Sequence, residues 1–234
     1  VLIALETSGV HGGVTLVDGD GSFITRDLQL GTQHAQSLLP AMVAVLESRS
    51  LSLRDVGVVA VSVGPGSFTG LRVGVVVAKT LAFATGCRIV AVNTFAAIAD
   101  NAPDEIEAVT VLGDAQRSEL YVQPFRRAAA RVFEPTAPIA ICRIDHFLDS
   151  TTQDRPVVLG PGCGRAADQL AERARLLDRH TWHPGSESIA RRGLAAAARG
   201  EFVDPFLLEP VYGRRSSAEE NRERRQAAEQ PLGS

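Results

Sequence analysis

The chain has 234 residues, 45% of them apolar but only 5% aromatic, and a formal net charge of −3, so one large or two small domains with a core of Val, Ala and Leu are expected. The negative balance argues against the chain gripping RNA by itself, because phosphate contacts dominate such affinity. Its three cysteines, Cys87, Cys142 and Cys163, have no C-x-x-C spacing and disfavour a disulfide framework or zinc site, and no stretch reads as a signal peptide or a charge-free membrane span.

In chain order, Val1 to Leu5 is an apolar run that ends in Glu6, Thr7, Ser8 and Gly9. It reads as a first strand closing on a carboxylate and two hydroxyls. Such a place can hold a metal in a nuclease or phosphotransferase, although for a lone Glu6 a polar turn is the simpler account. Residues 13–25 alternate around Asp18-Gly19 as a β-hairpin. Residues 32–48 predict a helix with Ala35, Leu38, Leu39, Met42, Val43 and Leu46 in one stripe, and Pro40 within it predicts a kink or a late start.

The run 56–63 reads as a buried strand, followed by Gly64-Pro65-Gly66-Ser67-Phe68-Thr69-Gly70-Leu71-Arg72. A helix is expected over 68–85, capped by Ser67 or Thr69. Strand, glycine-rich turn and helix gather free backbone N–H groups where an anion can bind, and Arg72 in the first turn opposes the macrodipole unless an anion partners it. The alternative is a tight strand-to-helix connection with a surface arginine. The turn is neither a Walker A loop, since Leu71-Arg72 replaces Lys-Ser/Thr, nor G-x-G-x-x-G, since Thr69 takes the third glycine position. The helix is apolar nearly all round and must be covered on two sides. Its own sheet covers one; the helix at 32–48, or another protein, covers the other.

A strand at 88–92, a short helix from Thr94 to Asp100 and a linker at 101–104 follow. A second lobe then opens with a strand at 106–112 paired to 119–123, continues with a strand at 156–160 and ends in an alanine-rich helix over 186–199. Both lobes open with a strand ending near an acid, Glu6 and Asp114. The expected division is 1–102, 103–203, and a C-terminal segment 204–234 whose charged tail beyond Arg214 should fray.

Catalytic constellations are thin. His34 reads as a capping or solvent-facing residue, and His180 and His183 have no adjacent acid to complete a metal site. Ser8 and Ser67 lack a histidine base in local sequence.

The order Leu-Glu-Thr-Ser, hairpin, His34-Ala35-Gln36-Ser37-Leu38-Leu39-Pro40, then 64–72, Asp114 to Tyr121, and Glu209-Pro210-Val211-Tyr212-Gly213-Arg214 resembles the TsaB (YeaZ) family. That family is the accessory subunit of the bacterial tRNA threonylcarbamoyladenosine synthase. The resemblance implies an α/β fold of two ribonuclease-H-like lobes of the actin and sugar-kinase superfamily, in the cytoplasm. It implies a non-catalytic scaffold, with no cofactor and no metal, that activates the subunit TsaD. Pairing would use the helices at 32–48 and 68–85, with Leu39, Met42, Leu46, Leu71, Val75 and Ala78 at the interface, and a second copy of the chain could take the place of TsaD. A TsaE-type ATPase would join a larger complex, and tRNA would be held mainly by the partner. Glu6, Thr7, Ser8, Gly64, Gly66, Ser67, Arg72 and Asp114 would form a vestigial nucleotide or anion site. The alternative is an ATP-dependent phosphotransferase or peptidase of the same superfamily, with Glu6 and Asp114 holding a metal.

Overall fold

The computed structural model describes residues 1–28, 34–151 and 155–212. The first lobe contains β1 (Leu2–Glu6), β2 (Gly13–Val17), β3 (Phe23–Asp27), α1 (His34–Glu47), β4 (Val58–Gly64), α2 (Phe68–Thr85), β5 (Arg88–Asn93) and α3 (Thr94–Ala99). Its sheet runs β3-β2-β1-β4-β5, antiparallel across the first three strands and parallel across the last three. Because successive side chains of a strand point to opposite faces, Ile3 and Leu5 enter a core under α1 and α2 while Leu2 and Ala4 enter one on the other face.

The predicted helix at 68–85 is α2 to the residue, with Ser67 as its cap and Gly86 ending it in the left-handed conformation. By length and composition α2 could cross a bilayer, which the sequence reading had not allowed for. Here it lies on β4 and β1 with Leu71, Val75, Ala78 and Leu81 in the core. α1 starts before Pro40 and runs through it with the ring exposed; Thr32, the predicted start, lies outside the described residues.

The second lobe contains β6 (Ala108–Asp114), β7 (Leu120–Ala129), β8 (Val132–Pro135), β9 (Ala140–Cys142), α4 (Ile144–Ser150), β10 (Val157–Leu159), α5 (Ala167–Arg173) and β11 (Arg175–Leu176). The order β11-β10-β6-β7-β8 places β6, β7, β8, β10 and β11 where β1, β2, β3, β4 and β5 stand in the first lobe, with the same parallel and antiparallel pairings. β7 continues past the predicted end at 123. Pro124 falls between the stretches paired to β9 and to β8, where that edge needs no N–H donor.

Chain order groups the helix α6 (Ser186–Ala198) with the second lobe, but it packs on the first sheet, across β1, β2, β4 and β5. Its small inner stripe of Ile189, Ala190, Gly193 and Ala196 allows close approach to Leu2, Ala4 and Ala60. On α6, Arg192 makes a two-pronged pair with Asp100 (2.6 and 2.7 Å) and also donates to the Phe133 carbonyl, tying α3, α6 and β8 together. Burial pushes the Asp100 carboxyl up despite that guanidinium.

Beyond α6 the chain returns along α2 as a strap. Val203 N–H donates to Ile89 O, Leu208 O accepts from Lys79 Nζ (3.0 Å), and Val211 N–H donates to Val63 O (2.7 Å). The C-terminal segment expected from 204 is docked as far as Tyr212, and the charged tail expected to fray beyond Arg214 lies outside the described residues.

Candidate functional site

Glu6, at the end of β1, is fully buried, and its Oε1 accepts from the Ser8 N–H (2.5 Å) and hydroxyl (2.6 Å). Its Oε2 has no hydrogen-bond partner, nor has the buried Thr7 hydroxyl beside it. Burial outweighs the Ser8 hydrogen bonds and raises the Glu6 pKa to about 7. The glycine-rich turn lies against this strand end. A methyl on Gly66 would sit 2.5 Å from the Ser8 carbonyl oxygen, so only glycine allows that approach. Ser67 N–H donates to Ser8 O (2.7 Å) and Gly70 N–H to Ser67 Oγ (3.3 Å), so two donors that an anion could use are spent within the chain.

Arg72 is engaged by side chains of the chain itself. Its Nε donates to the Tyr212 hydroxyl (3.0 Å), and its guanidinium lies 4.0 Å from the centre of the Phe68 ring, which packs on Tyr212. A charge over an aromatic face and a phenol oxygen satisfies the cation that chain position alone left unexplained. The sequence offered Pro-Val-Tyr as a motif without saying where it goes; it closes the turn, with Val211 O packed against Gly64.

Asp114 closes on its own lobe. Oδ1 accepts from Gln116 N–H (2.7 Å) and Oδ2 pairs with Arg165 (3.0 Å) on the turn after β10. That turn, Gly160-Pro161-Gly162, repeats Gly64-Pro65-Gly66 at the equivalent strand end, with φ of +113° at Gly160 and +117° at Gly64. The repeat was legible as a second G-P-G and was missed. Among the described residues no group of three or more His, Cys, Asp or Glu is placed to hold a metal ion.

Five of the six predicted interface residues are not at the surface. Met42, Leu46, Val75 and Ala78 belong to the core between α1, α2 and the sheet, and Leu71 is fully buried. Only Leu39 is exposed. The faces that carry Met42, Leu46, Val75 and Ala78 share one core with the sheet, as in the alternative in which the two helices cover each other. Period alone marks an apolar stripe but not which of two stripes meets the sheet. The apolar surface that does face out is Leu39, Pro40 and Val43 on α1, with Phe68, Val76 (59% exposed) and Phe83 (86%) on α2.

His34 neither caps α1 nor faces solvent; its Nε2 bonds Gly9 O (2.8 Å) and pins the loop after β1. His183 meets His11 edge to face rather than His180, and burial, then His11, lowers its pKa. Ser8 is committed to Glu6 and Ser67 to its helix cap.

Residues 29–201 match a family model described as TsaD, tRNA N6-adenosine threonylcarbamoyltransferase. The Escherichia coli K12 tRNA threonylcarbamoyladenosine biosynthesis protein TsaB is 29% identical over 222 residues, covering 93% of this chain and 96% of its own. The Bacillus subtilis protein of that name is 27% identical over 67% of this chain and 69% of its own. The solved structure of YeaZ from Pseudomonas aeruginosa aligns with a TM-score of 0.78 at 28% identity, covering 90% of this chain and 98% of that one. A second structure from that organism, described as similar to peptidase YEAZ, gives 0.79 at 29%, over 91% and 99%.

Proposed function

Because the chain belongs to the TsaD family, and within it to the TsaB (YeaZ) branch that serves tRNA threonylcarbamoyladenosine biosynthesis, we propose that it is a non-catalytic subunit that pairs with and activates a TsaD-type transferase. The observation that carries this reading is the outward apolar stripe of α1 and α2. Leu39 and Val43 on α1 and Val76 and Phe83 on α2 are large and exposed, on helices that already have a well-packed inner face. Apolar surface of this kind marks a protein interface, and a partner that shares the matched region carries the same two helices to set against it.

The filled turn supports the non-catalytic part. Ser67 N–H, Gly70 N–H and Arg72 are engaged by the chain itself, Ser8 and Ser67 are engaged without a histidine base, and Glu6 and Asp114 each close on their own lobe. In this account the protein works in the cytoplasm and needs no cofactor or metal of its own. A TsaE-type ATPase joins the pair, and a second copy occupies the same face when the transferase is absent. With a net charge of −3 the chain leaves most of the tRNA contact to its partner.

The test is threonylcarbamoyl transfer to tRNA from threonylcarbamoyl-adenylate. The chain alone should give no product, and adding it to the transferase should raise the rate. Turnover by the chain alone overturns the proposal and restores the enzyme alternative.

A further inference from the structure

The strap along α2 has a feature that its own docking does not explain. Its backbone and Leu208 are held against β5, α2 and β4, yet Phe206 (81% exposed) and Leu207 (79%) turn outward. Phe206 and Pro205 stand beside Thr80, Ala82 and Phe83 at the C-terminal end of α2, around a cleft of about 520 Å³. Ordering a chain segment costs conformational entropy, and here it displays large apolar side chains to water. Val76, Thr80 and Phe83 follow one another at i, i+4 and i+7 along α2, so the outward stripe of that helix runs into the cleft.

We infer that the strap is part of the face that receives the transferase subunit, with the Phe83–Phe206 cleft taking an apolar side chain of that partner that has a carboxylate beside it. The inference rests on the pairing reading above. Lys79, which lines the cleft, supplies the charge argument. It reaches a backbone carbonyl, and among the described residues it is not paired with a carboxylate. It keeps a positive charge at the rim of an apolar surface, which an acidic edge on the partner complements.

The experiment titrates the TsaD-type transferase of the same organism into the chain by calorimetry, for wild type, F206S/L207S, Lys79→Gln and Val76→Glu. The strap variant should keep the wild-type melting temperature, since both side chains are exposed, and bind at least about tenfold more weakly. Lys79→Gln should bind more weakly with a shallower dependence on salt. If F206S/L207S binds within about twofold of wild type while Val76→Glu fails to bind, the strap inference is overturned and the helix pairing stands. If F206S/L207S loses only self-association, the occupant is a second copy and the inference is likewise overturned. If the wild-type chain does not bind the transferase, the pairing reading itself fails.

Discussion

In the first lobe Glu6 ends β1 and its carboxylate accepts from the N–H two residues on; in the second Asp114 ends β6 and does the same. Each strand end is approached by a Gly-Pro-Gly turn from the parallel neighbour, and a methyl on Gly66 or Gly162 would strike the facing backbone at 2.5 or 2.8 Å. The surroundings then diverge. The first turn leads into an 18-residue helix and lies over a fully buried acid, while the second leads through a short 3-10 turn into a seven-residue helix and leaves its acid half-exposed beside Arg165. One skeleton has thus been elaborated into a rigid, closed support for a long outward helix in one lobe and left open in the other. The chemistry that such turns can do elsewhere needs free N–H donors and a free cation, and the first lobe has spent two of its donors, Ser67 N–H and Gly70 N–H, and the cation Arg72 on itself.

Substitutions can break or sharpen that contrast. The largest effect is expected from Val75→Glu, which buries an unpaired charge between α2 and its sheet and should cost about 4 kcal/mol or more, enough to unfold a marginal domain. Next is Gly70→Ala, where the new methyl would occupy the space of the Thr7 carbonyl oxygen. A loss of about 3 kcal/mol is expected in urea denaturation. Gly164→Ala, at the second turn, meets only the Trp182 ring at 3.8 Å and should lie within about 0.5 kcal/mol of wild type. Equal costs at the two positions would show that Gly70 is no more tightly enclosed than Gly164.

The buried acid adds a pH signature. Below 4.5 Glu6 is protonated whether the chain is folded or not, and its burial is not penalised electrostatically. As pH rises from 4.5 to 7 the unfolded chain gives up that proton first, so stability falls by about 3 kcal/mol and then levels off. Glu6→Gln should flatten this decline, leaving the variant more stable than wild type at pH 8 but not at pH 4, by thermal denaturation across that range. Asp114→Asn loses an exposed pair with Arg165 and should cost no more than about 1 kcal/mol. Tyr212→Phe, which keeps the ring on Phe68 and removes the Arg72 hydrogen bond, should likewise cost about 1 kcal/mol.

The sequence was readable where local chemistry decides. Ser67, Gly86 and the apolar run of 68–85 specify α2 to the residue, and the Asp18-Gly19 hairpin and the strands around it stand where alternation puts them. It was misleading where tertiary packing decides. Met42, Leu46 and Val75 look the same in a heptad plot whether they meet a sheet or a partner, and only the fold shows that Val76 and Phe83 carry the outer face. Between an anion-binding Arg72 and a surface arginine on a tight connection the local sequence does not choose, because its partner, Tyr212, is 140 residues away. α6 was assigned by chain order, whereas its alanine and glycine stripe was a sign of a helix suited to close contact with a sheet. The second Gly-Pro-Gly turn was in plain view and needed only comparison with the first.

Val76→Glu tests the account most directly, measured together with Val75→Glu by sedimentation velocity with the transferase and by threonylcarbamoyl transfer to tRNA. The account predicts that Val76→Glu melts with wild type, sediments alone in the presence of the transferase and no longer raises its rate, while Val75→Glu fails to fold. A Val76→Glu chain that still co-sediments with the transferase and gives full activation would contradict it.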